Sequence, residues 1–489
     1  MLFSSITFLV FFLPSVLLLY YMLPSLRYRN TVLLLASLLF YAWGEPKFVI
    51  LMLATIIGNY NAGLLLVRTA DVRKRKLVLC LAVIANLAVL FVYKYLGFAC
   101  TVLDVFLRAL HLQPLNAIAL ALPLGISFYT FQEISYLVDV YHTPALVQQD
   151  ILQLGLYIAF FPQLIAGPII RYHDINQQIE NRTHAVGTFS RSMERFIIGL
   201  GKKVLLANNF ALVCDKIYDV DIFSYGAYHA WIAAFAYALQ IYYDFSGYSD
   251  MAIGLAGLFG FHLPENFNYP YAATSLTDFW RRWHISLTSF FRDYVYIPLG
   301  GNRKGKLRTT LNRCTVFLTT GLWHGATFGF VLWGLGHGLL MTVERTLTRK
   351  QQKTTHSQSL ALVRSIVAHG YTLLAVLLLW VLFRNGITQS IKLILKMVGI
   401  NYSRFTATFR PLYYDELFAP HVDRAFYVFA TFGIAFAFPW WKKISTQHWA
   451  RAAIRFTVFI KYIVVLAILV LCYASLASDS YNPFIYFRF

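Results

Sequence analysis

The chain has 489 residues, of which 58% are hydrophobic, 17% aromatic and only 13% charged, a balance too apolar for a soluble globule and one that marks a polytopic membrane protein. Its formal net charge of +20 does not point to nucleic acid. The basic residues sit in short loops beside apolar runs, the pattern of orientation by the positive-inside rule.

In chain order, apolar runs near or above the ~18-residue spanning threshold occupy Ile6–Leu23, Lys47–Val67, Leu77–Phe98, Ala117–Tyr141, Ile151–Ile170, Ala227–Tyr243, Ile366–Phe383, Phe426–Trp441 and Phe456–Ala474. With weaker segments added, the expectation is an all-α fold of about ten to twelve membrane-embedded helices, some of them short re-entrant or interfacial ones. They are read as one membrane domain over residues 1–489. Ile6–Leu23 lacks a basic n-region and a small-residue cleavage pattern, so it reads as a retained span rather than a signal peptide. Cys80, Cys100, Cys214, Cys314 and Cys472 are scattered without a C-x-x-C pair, which gives no disulfide framework and no zinc site.

Charge sets the orientation. Arg27 and Arg29 precede the Thr31–Val67 hairpin and Arg68, Arg73, Lys74, Arg75 and Lys76 follow it, so both of its ends are cytoplasmic. The same rule places inside the cell Arg303, Lys304, Lys306 and Arg308, then Arg345, Arg349, Lys350 and Lys353, and later Lys442, Lys443, Arg451 and Arg455. Leu311–Met341, flanked by two of these clusters, is therefore expected to return to its own side, with Gly321, Gly325 and Gly329 as places to break it. The longest hydrophilic stretch, 385–423, falls outside; with Tyr413, Tyr414, Asp415, Glu416 and His421 it is either a docking loop for a partner or polymer, or a plain surface loop.

The chemistry concentrates in residues 266–343. Phe279-Trp280-Arg281-Arg282-Trp283-His284-Ile285-Ser286-Leu287 and Gly321-Leu322-Trp323-His324-Gly325-Ala326 place two imidazoles among arginines and tryptophans in a membrane protein. Titratable groups in such a setting are expensive and mark function by default. Around His284 the pattern reads as a short amphipathic helix, with Ser275 and Asp278 as a capping box, Asp278 and Arg282 as an i,i+4 pair, and Trp280, His284, Thr288 and Phe291 near one face. Taken alone, that segment is equally an interfacial anchor. His324 lies in the most apolar part of its segment, where a neutral imidazole must still find partners. His337 falls on a different face and is read as structural.

Two imidazoles can divide acyl transfer between them: one removes the proton of an attacking hydroxyl while the other orients or polarises the acyl group. Neither role requires a metal. H-E-x-x-H, G-x-S-x-G, Walker and dinucleotide patterns are missing, so zinc hydrolysis, serine esterase chemistry and nucleotide hydrolysis lose their usual support.

Long motifs carry a resemblance. Asn266-Phe267-Asn268-Tyr269-Pro270-Tyr271, the stretch from Thr277 through Leu287, and Arg292-Asp293-Tyr294-Val295-Tyr296-Ile297-Pro298-Leu299-Gly300-Gly301-Asn302-Arg303 closely resemble the membrane-bound O-acyltransferase family. So do Pro123 through Gln132, Phe161 through Tyr172, Tyr243-Asp244-Phe245-Ser246-Gly247-Tyr248-Ser249-Asp250, Gly321 through Ala326 and the tail Pro483-Phe484-Ile485-Tyr486. Within the family the match is to the bacterial branch typified by alginate O-acetylation.

The resemblance implies helices ringed around a central funnel, with His324 as the principal histidine and His284 as the second polar position. It implies an acetyl group that enters on a cytoplasmic thioester, acetyl-CoA, and leaves toward an exported polysaccharide through a periplasmic acetyltransferase partner, in the inner membrane of a bacterium. Peptidoglycan O-acetylation and D-alanyl transfer to teichoic acid are the neighbouring activities, and a transporter is the non-enzymatic alternative. His324 is then a general base or a transient acyl carrier. Arg281, Arg303 and Lys304 are suited either to donor phosphates or to anionic lipid headgroups. Trp280 and Trp323 either line a donor channel or pack as ordinary aromatics, and Asp244 and Asp250 are read as a supporting polar network.

Overall fold

A computed structural model describes residues 1–113, 120–220, 225–351, 358–400, 422–439, 454–478 and 481–485, with backbone alone at 348–351, 358 and 454–458. The candidate docking residues Tyr413–His421, the cations Lys353, Lys442, Lys443 and Arg451, and Tyr486 of the tail lie outside the described residues.

Among the described residues every regular element is a helix: α1 Leu13–Met22, α2 Leu26–Gly44, α3 Phe48–Arg68, α4 Val72–Leu90, α5 Leu96–Ala109, α6 Ile126–His142, α7 Ile151–Ala159, α8 Phe161–Leu164, α9 Tyr172–Glu180, α10 Val186–Gly201, α11 Asn208–Tyr218, α12 Ala227–Leu258, α13 Leu276–Arg282, α14 Ile285–Phe291, α15 Gly305–His324, α16 Phe328–Gln351, α17 Gln358–Met397, α18 Arg424–Phe436 and α19 Ile454–Ser478. Side-chain oxygens start several of them. Asp71 accepts the amides of Arg73 and Lys74, Asp150 that of Leu152, Ser275 that of Asp278 and Asp423 that of Phe426, each satisfying donors that a helix start leaves open.

Among the described residues, five helical stretches are long and apolar enough to cross a membrane: Phe48–Arg68, Val72–Ala109, Val186–Tyr218, Ser359–Met397 and Phe459–Ser478. Val186–Tyr218 was not expected, because Arg191, Arg195, Lys202 and Lys203 interrupt its apolar pattern. The structure neutralises two of these cations. Arg195 pairs with Asp250 at 2.8 Å and with Glu265 at 2.5 Å, and Lys203 pairs with Asp244 at 2.7 Å. The expected run Ile151–Ile170 is instead broken after Ala159, where Phe160 leaves helical angles and α8 restarts with Pro162 in its first turn, a position that tolerates the N–H a proline lacks where a helix interior does not.

The described residues fall into two compact units. The first comprises Met1–Phe196 with Tyr248–Glu265. In it α6 packs on α3 and α4, and α7 on α2 and α3. The second comprises Ile197–Gly247 with Asn266–Phe489; α15, α16 and α17 pack in sequence and α13 rests on α16 and α17. Its core is unusually aromatic, with Trp283, Trp333 and Trp380 fully buried.

α15 and α16 form a tight antiparallel hairpin joined by residues 325–327. Small residues make the close approach possible: a Cβ at Gly334 would lie 2.1 Å from the Phe317 carbonyl oxygen, and one at Gly321 would lie 2.3 Å from that of Phe330. Of the three glycines expected to break Leu311–Met341, Gly325 sits at the reversal. Gly321 packs the helices together. The ends of the hairpin that carry Lys304 and Arg345 thus lie together, opposite the 325–327 turn.

Candidate active site

Both sequence-predicted histidines lie in the second unit, and the chain holds them in different ways. The continuous amphipathic helix expected over residues 275–291 is broken in two. After α13, His284 adopts φ 46° and ψ 53°, a left-handed conformation that costs a side-chain-bearing residue energy and persists only where surroundings impose it. The surroundings here are asparagines. Asn266 Oδ1 lies 3.1 Å from His284 Nδ1 and accepts the Ser286 amide at 3.2 Å and the Ser286 hydroxyl at 2.8 Å. The Asn266 carbonyl takes the Ile285 amide at 3.0 Å, and the Asn268 amide donates to the Arg282 carbonyl at 2.9 Å.

This arrangement fixes the tautomer. A backbone amide can only donate, so the Asn266 atom facing Ser286 is an oxygen, and His284 Nδ1 must carry the proton it shares with that oxygen. Nε2 is left as a lone-pair acceptor, and among the described residues no donor meets it. His284 is fully buried, and burial pushes its pKa down to about 3, so the ring is neutral.

His324 is the last residue of α15 and is 7% exposed. Rings hold it. Its imidazole packs edge-to-face with Trp323 at 4.7 Å, Trp333 at 5.1 Å and Phe383 at 5.0 Å between centroids, geometries in which aromatic pairs gain specificity beyond area burial. Trp323 also contacts the His284 ring at 5.7 Å. One indole therefore touches both imidazoles. Phe245 closes the other side of His284, edge-on at 4.6 Å.

The remaining predicted residues distribute around this pair. Trp280 is 4% exposed and donates its indole N–H to His337 Nδ1 at 3.2 Å; His337, fully buried, is part of that aromatic layer. Arg281, Arg303 and Lys304 are exposed. Arg282 pairs with Asp278 at 3.0 Å, as the i,i+4 spacing predicts, so the capping box is only half made: Ser275 caps Asp278, while the Leu276 amide goes to the Glu344 carboxylate at 2.9 Å. Asp244 and Asp250 part company. Asp250 belongs to the Arg195–Glu265 cluster of the first unit. Asp244 is buried beside Phe245, pairs with Lys203 and accepts the Ile485 amide at 2.8 Å. Lys203 in turn donates to Asn208 Oδ1 at 2.9 Å and to the Pro483 carbonyl, so this ion pair ties the C-terminal segment to the helix that carries Phe245.

Sequence reasoning named neither Asn266 nor Phe245 nor Lys203 as part of the site. The signal for Asn266 was present: an N-x-N beside a histidine motif offers short amide side chains that cap and brace turns.

The model of MBOAT, the membrane-bound O-acyltransferase family, matches residues 145–383, a span that contains both histidines. A probable alginate O-acetylase of Pseudomonas putida is 38% identical over the whole of both chains. The chain belongs to the membrane-bound O-acyltransferase family. It is a multi-pass membrane O-acyltransferase. A probable alginate O-acetylase of Pseudomonas aeruginosa is 44% identical, covering 71% of this chain and 66% of its own length. A peptidoglycan O-acetyltransferase of Helicobacter pylori is 36% identical over 82% of this chain and 80% of its own.

Proposed function

We propose that the protein moves an acetyl group from a cytoplasmic thioester, acetyl-CoA, toward a hydroxyl of an extracytoplasmic polysaccharide such as alginate, in the cytoplasmic membrane of a bacterium. The observation that carries this reading is the pair of imidazoles gathered on the indole of Trp323. The relatives named for alginate and peptidoglycan O-acetylation support the acyl group and the class of acceptor.

His324 is the general base. Its imidazole takes the proton of the attacking hydroxyl as that oxygen bonds to the thioester carbonyl carbon; the C–S bond then breaks and the proton passes to the departing thiolate. The positive charge that develops on the ring lies at the C-terminal end of α15, where the helix dipole favours a cation. His284, neutral and proton-bearing at Nδ1, presents only an acceptor at Nε2. It therefore orients a hydroxyl or amide of a reactant rather than polarising the carbonyl. Arg281, Arg303 and Lys304, exposed and cytoplasmic by the charge rule, hold the phosphates of the donor. Helices ringed around a funnel that opens to both sides let the two substrates meet at His324, and a periplasmic acetyltransferase partner carries the group onward.

Purified protein in proteoliposomes, given labelled acetyl-CoA and a polysaccharide acceptor, tests the reading. Free CoA thiol should appear in step with acetylated product. Intact acetyl-CoA, or a solute crossing without thiol release, would make the protein a transporter.

A further inference from the structure

The first unit carries a buried acid. Glu133, in α6, is 1% exposed, and neither oxygen of its carboxyl meets a donor among the described residues. An ionisable side chain so placed in a membrane protein marks a functional site by default. Its neighbour on α3 is Thr55. The Thr55 hydroxyl donates to the Met52 carbonyl at 2.9 Å, and because a carbonyl can only accept, Thr55 turns lone pairs toward the acid. Two acceptors face each other in a buried interior only with a positive charge between them, and a bare carboxylate there is strongly disfavoured. Either a proton on the carboxyl or a small hard cation held by these oxygens supplies that charge.

Access is from one side. Arg75, cytoplasmic by the positive-inside rule, donates through Nη2 to the carbonyls of Val140 and Tyr141 at the C-terminal end of α6, so the Ile126 end is extracytoplasmic. Glu133 lies seven positions after Ile126 and Thr55 seven after Phe48, which puts both about 10 Å from the outer ends of their helices. Inward, the seam is closed. Asn59 and Asn86 exchange amide hydrogen bonds at 3.0 and 2.7 Å and spend their remaining N–H groups on the carbonyls of Thr55 and Ala82. One turn further along α3, the Tyr136 ring lies on Gly63, where a Cβ has no room. Outward, hydroxyls line it. Tyr129 is within electrostatic reach of Glu133, Tyr41 and Tyr93, and Tyr41 of Glu45 at the partly exposed turn after α2. The hydroxyls of Tyr41 and Tyr129 are buried and lack partners among the described residues. Lys94, in the π-helical turn Phe91–Tyr95, faces the same end and donates to Ser127 Oγ at 3.3 Å; a π-turn inside a long helix recurs at functional sites. A surface acid, two hydroxyls and a buried acid thus follow one another from the outer face inward.

We propose that Glu133 is the core of a monovalent-cation site, filled by a proton or a sodium ion from the extracytoplasmic side by way of Glu45, Tyr41 and Tyr129, and distinct from the acyl-transfer site. Dicyclohexylcarbodiimide tests it on the unaltered protein. An un-ionised carboxylic acid adds its O–H across one C=N bond of the reagent, the proton going to nitrogen and no group leaving, and mass spectrometry reads the adduct on the peptide that holds Glu133. In sealed right-side-out vesicles prepared without sodium, Glu133 should label, and labelling should slow several-fold when only the external medium is made alkaline. Exchanging external potassium chloride for sodium chloride at constant pH should slow it several-fold again if sodium is the occupant, and leave it unchanged if the proton is. Tyr129→Phe should delay the response to an external pH step several-fold without changing its final extent, and Glu133→Gln should remove the adduct. The same pattern should hold in a His324→Ala background, since the site does not rest on the acyl-transfer reading. A Glu133 that stays unlabelled in acidic, sodium-free medium, labelling indifferent to both external pH and sodium, or labelling that follows only the internal pH would overturn the proposal.

Discussion

The two histidines are seated by opposite means. His284 stands in a left-handed turn braced by Asn266, which accepts three hydrogen bonds from the residues around it. His324 ends a regular helix and is fixed by ring packing on a hairpin drawn tight by glycine. A hydrogen-bonded seat sets a tautomer and an orientation; a packed seat sets a position. The first suits a residue that orients a reactant, and the second suits a base whose ring must stay in place while its charge changes.

The contrast can be broken by attacking each seat separately. The largest stability effect is expected at the buried ion pair behind Phe245. Lys203→Met leaves Asp244 charged and unpaired in the interior, which should cost about 3–5 kcal/mol and deplete the protein from membranes. Lys203→Met combined with Asp244→Leu should recover much of that loss, measured as protein level and thermal stability in detergent.

Gly334→Ala strikes the packed seat, since its methyl would meet the Phe317 carbonyl at 2.1 Å. A loss of about 1–3 kcal/mol or more is expected, with thermal unfolding as the readout. If the protein tolerates alanine there without change, the hairpin is looser than described.

Asn266→Ala strikes the hydrogen-bonded seat. It strips the acceptor from two donors of Ser286 and from His284, and should lower turnover about 10–100-fold through misplacement of the ring, while donor KM moves little. A uniform fall in protein level with unchanged specific activity would mean that the turn is structural only.

The smallest effect lies in the first unit, outside both seats. His173 Nδ1 lies 2.8 Å from Asp139 Oδ2, and that hydrogen bond, followed by the carboxylate charges of Asp139 and Asp174 against desolvation, raises its pKa. A raised histidine pKa gives stability that is fully present below the unfolded value of about 6.5 and is lost as pH climbs through the folded value. His173→Ala should therefore flatten the fall in melting temperature as pH climbs above about 6.5 and leave acetyl transfer unaltered.

Much of the candidate site was legible because its residues stand in contiguous motifs: an imidazole flanked by tryptophan in an apolar segment is conspicuous wherever it occurs. The return of the chain at Gly325 was legible too, from basic residues on both flanks of Leu311–Met341. The break at His284 was not, since helical periodicity gives no warning when an asparagine eighteen positions earlier in the chain pays for a left-handed residue. Nor could spacing reveal that Asp244 and Asp250, six residues apart on one helix, serve different cations, or that Val186–Tyr218 is apolar enough to span once Lys203 and Arg195 have found carboxylates. Each of these depends on a partner distant in sequence, which composition and period do not encode.

The central claim is that acyl transfer takes place at the imidazole of His324. Polymer acetylation should be measured for His324→Ala against the unaltered protein, at matched levels in the membrane. A loss of about 10²–10⁴-fold, the worth of a positioned general base, is the result expected; acetylation that persists near the unaltered rate would contradict it.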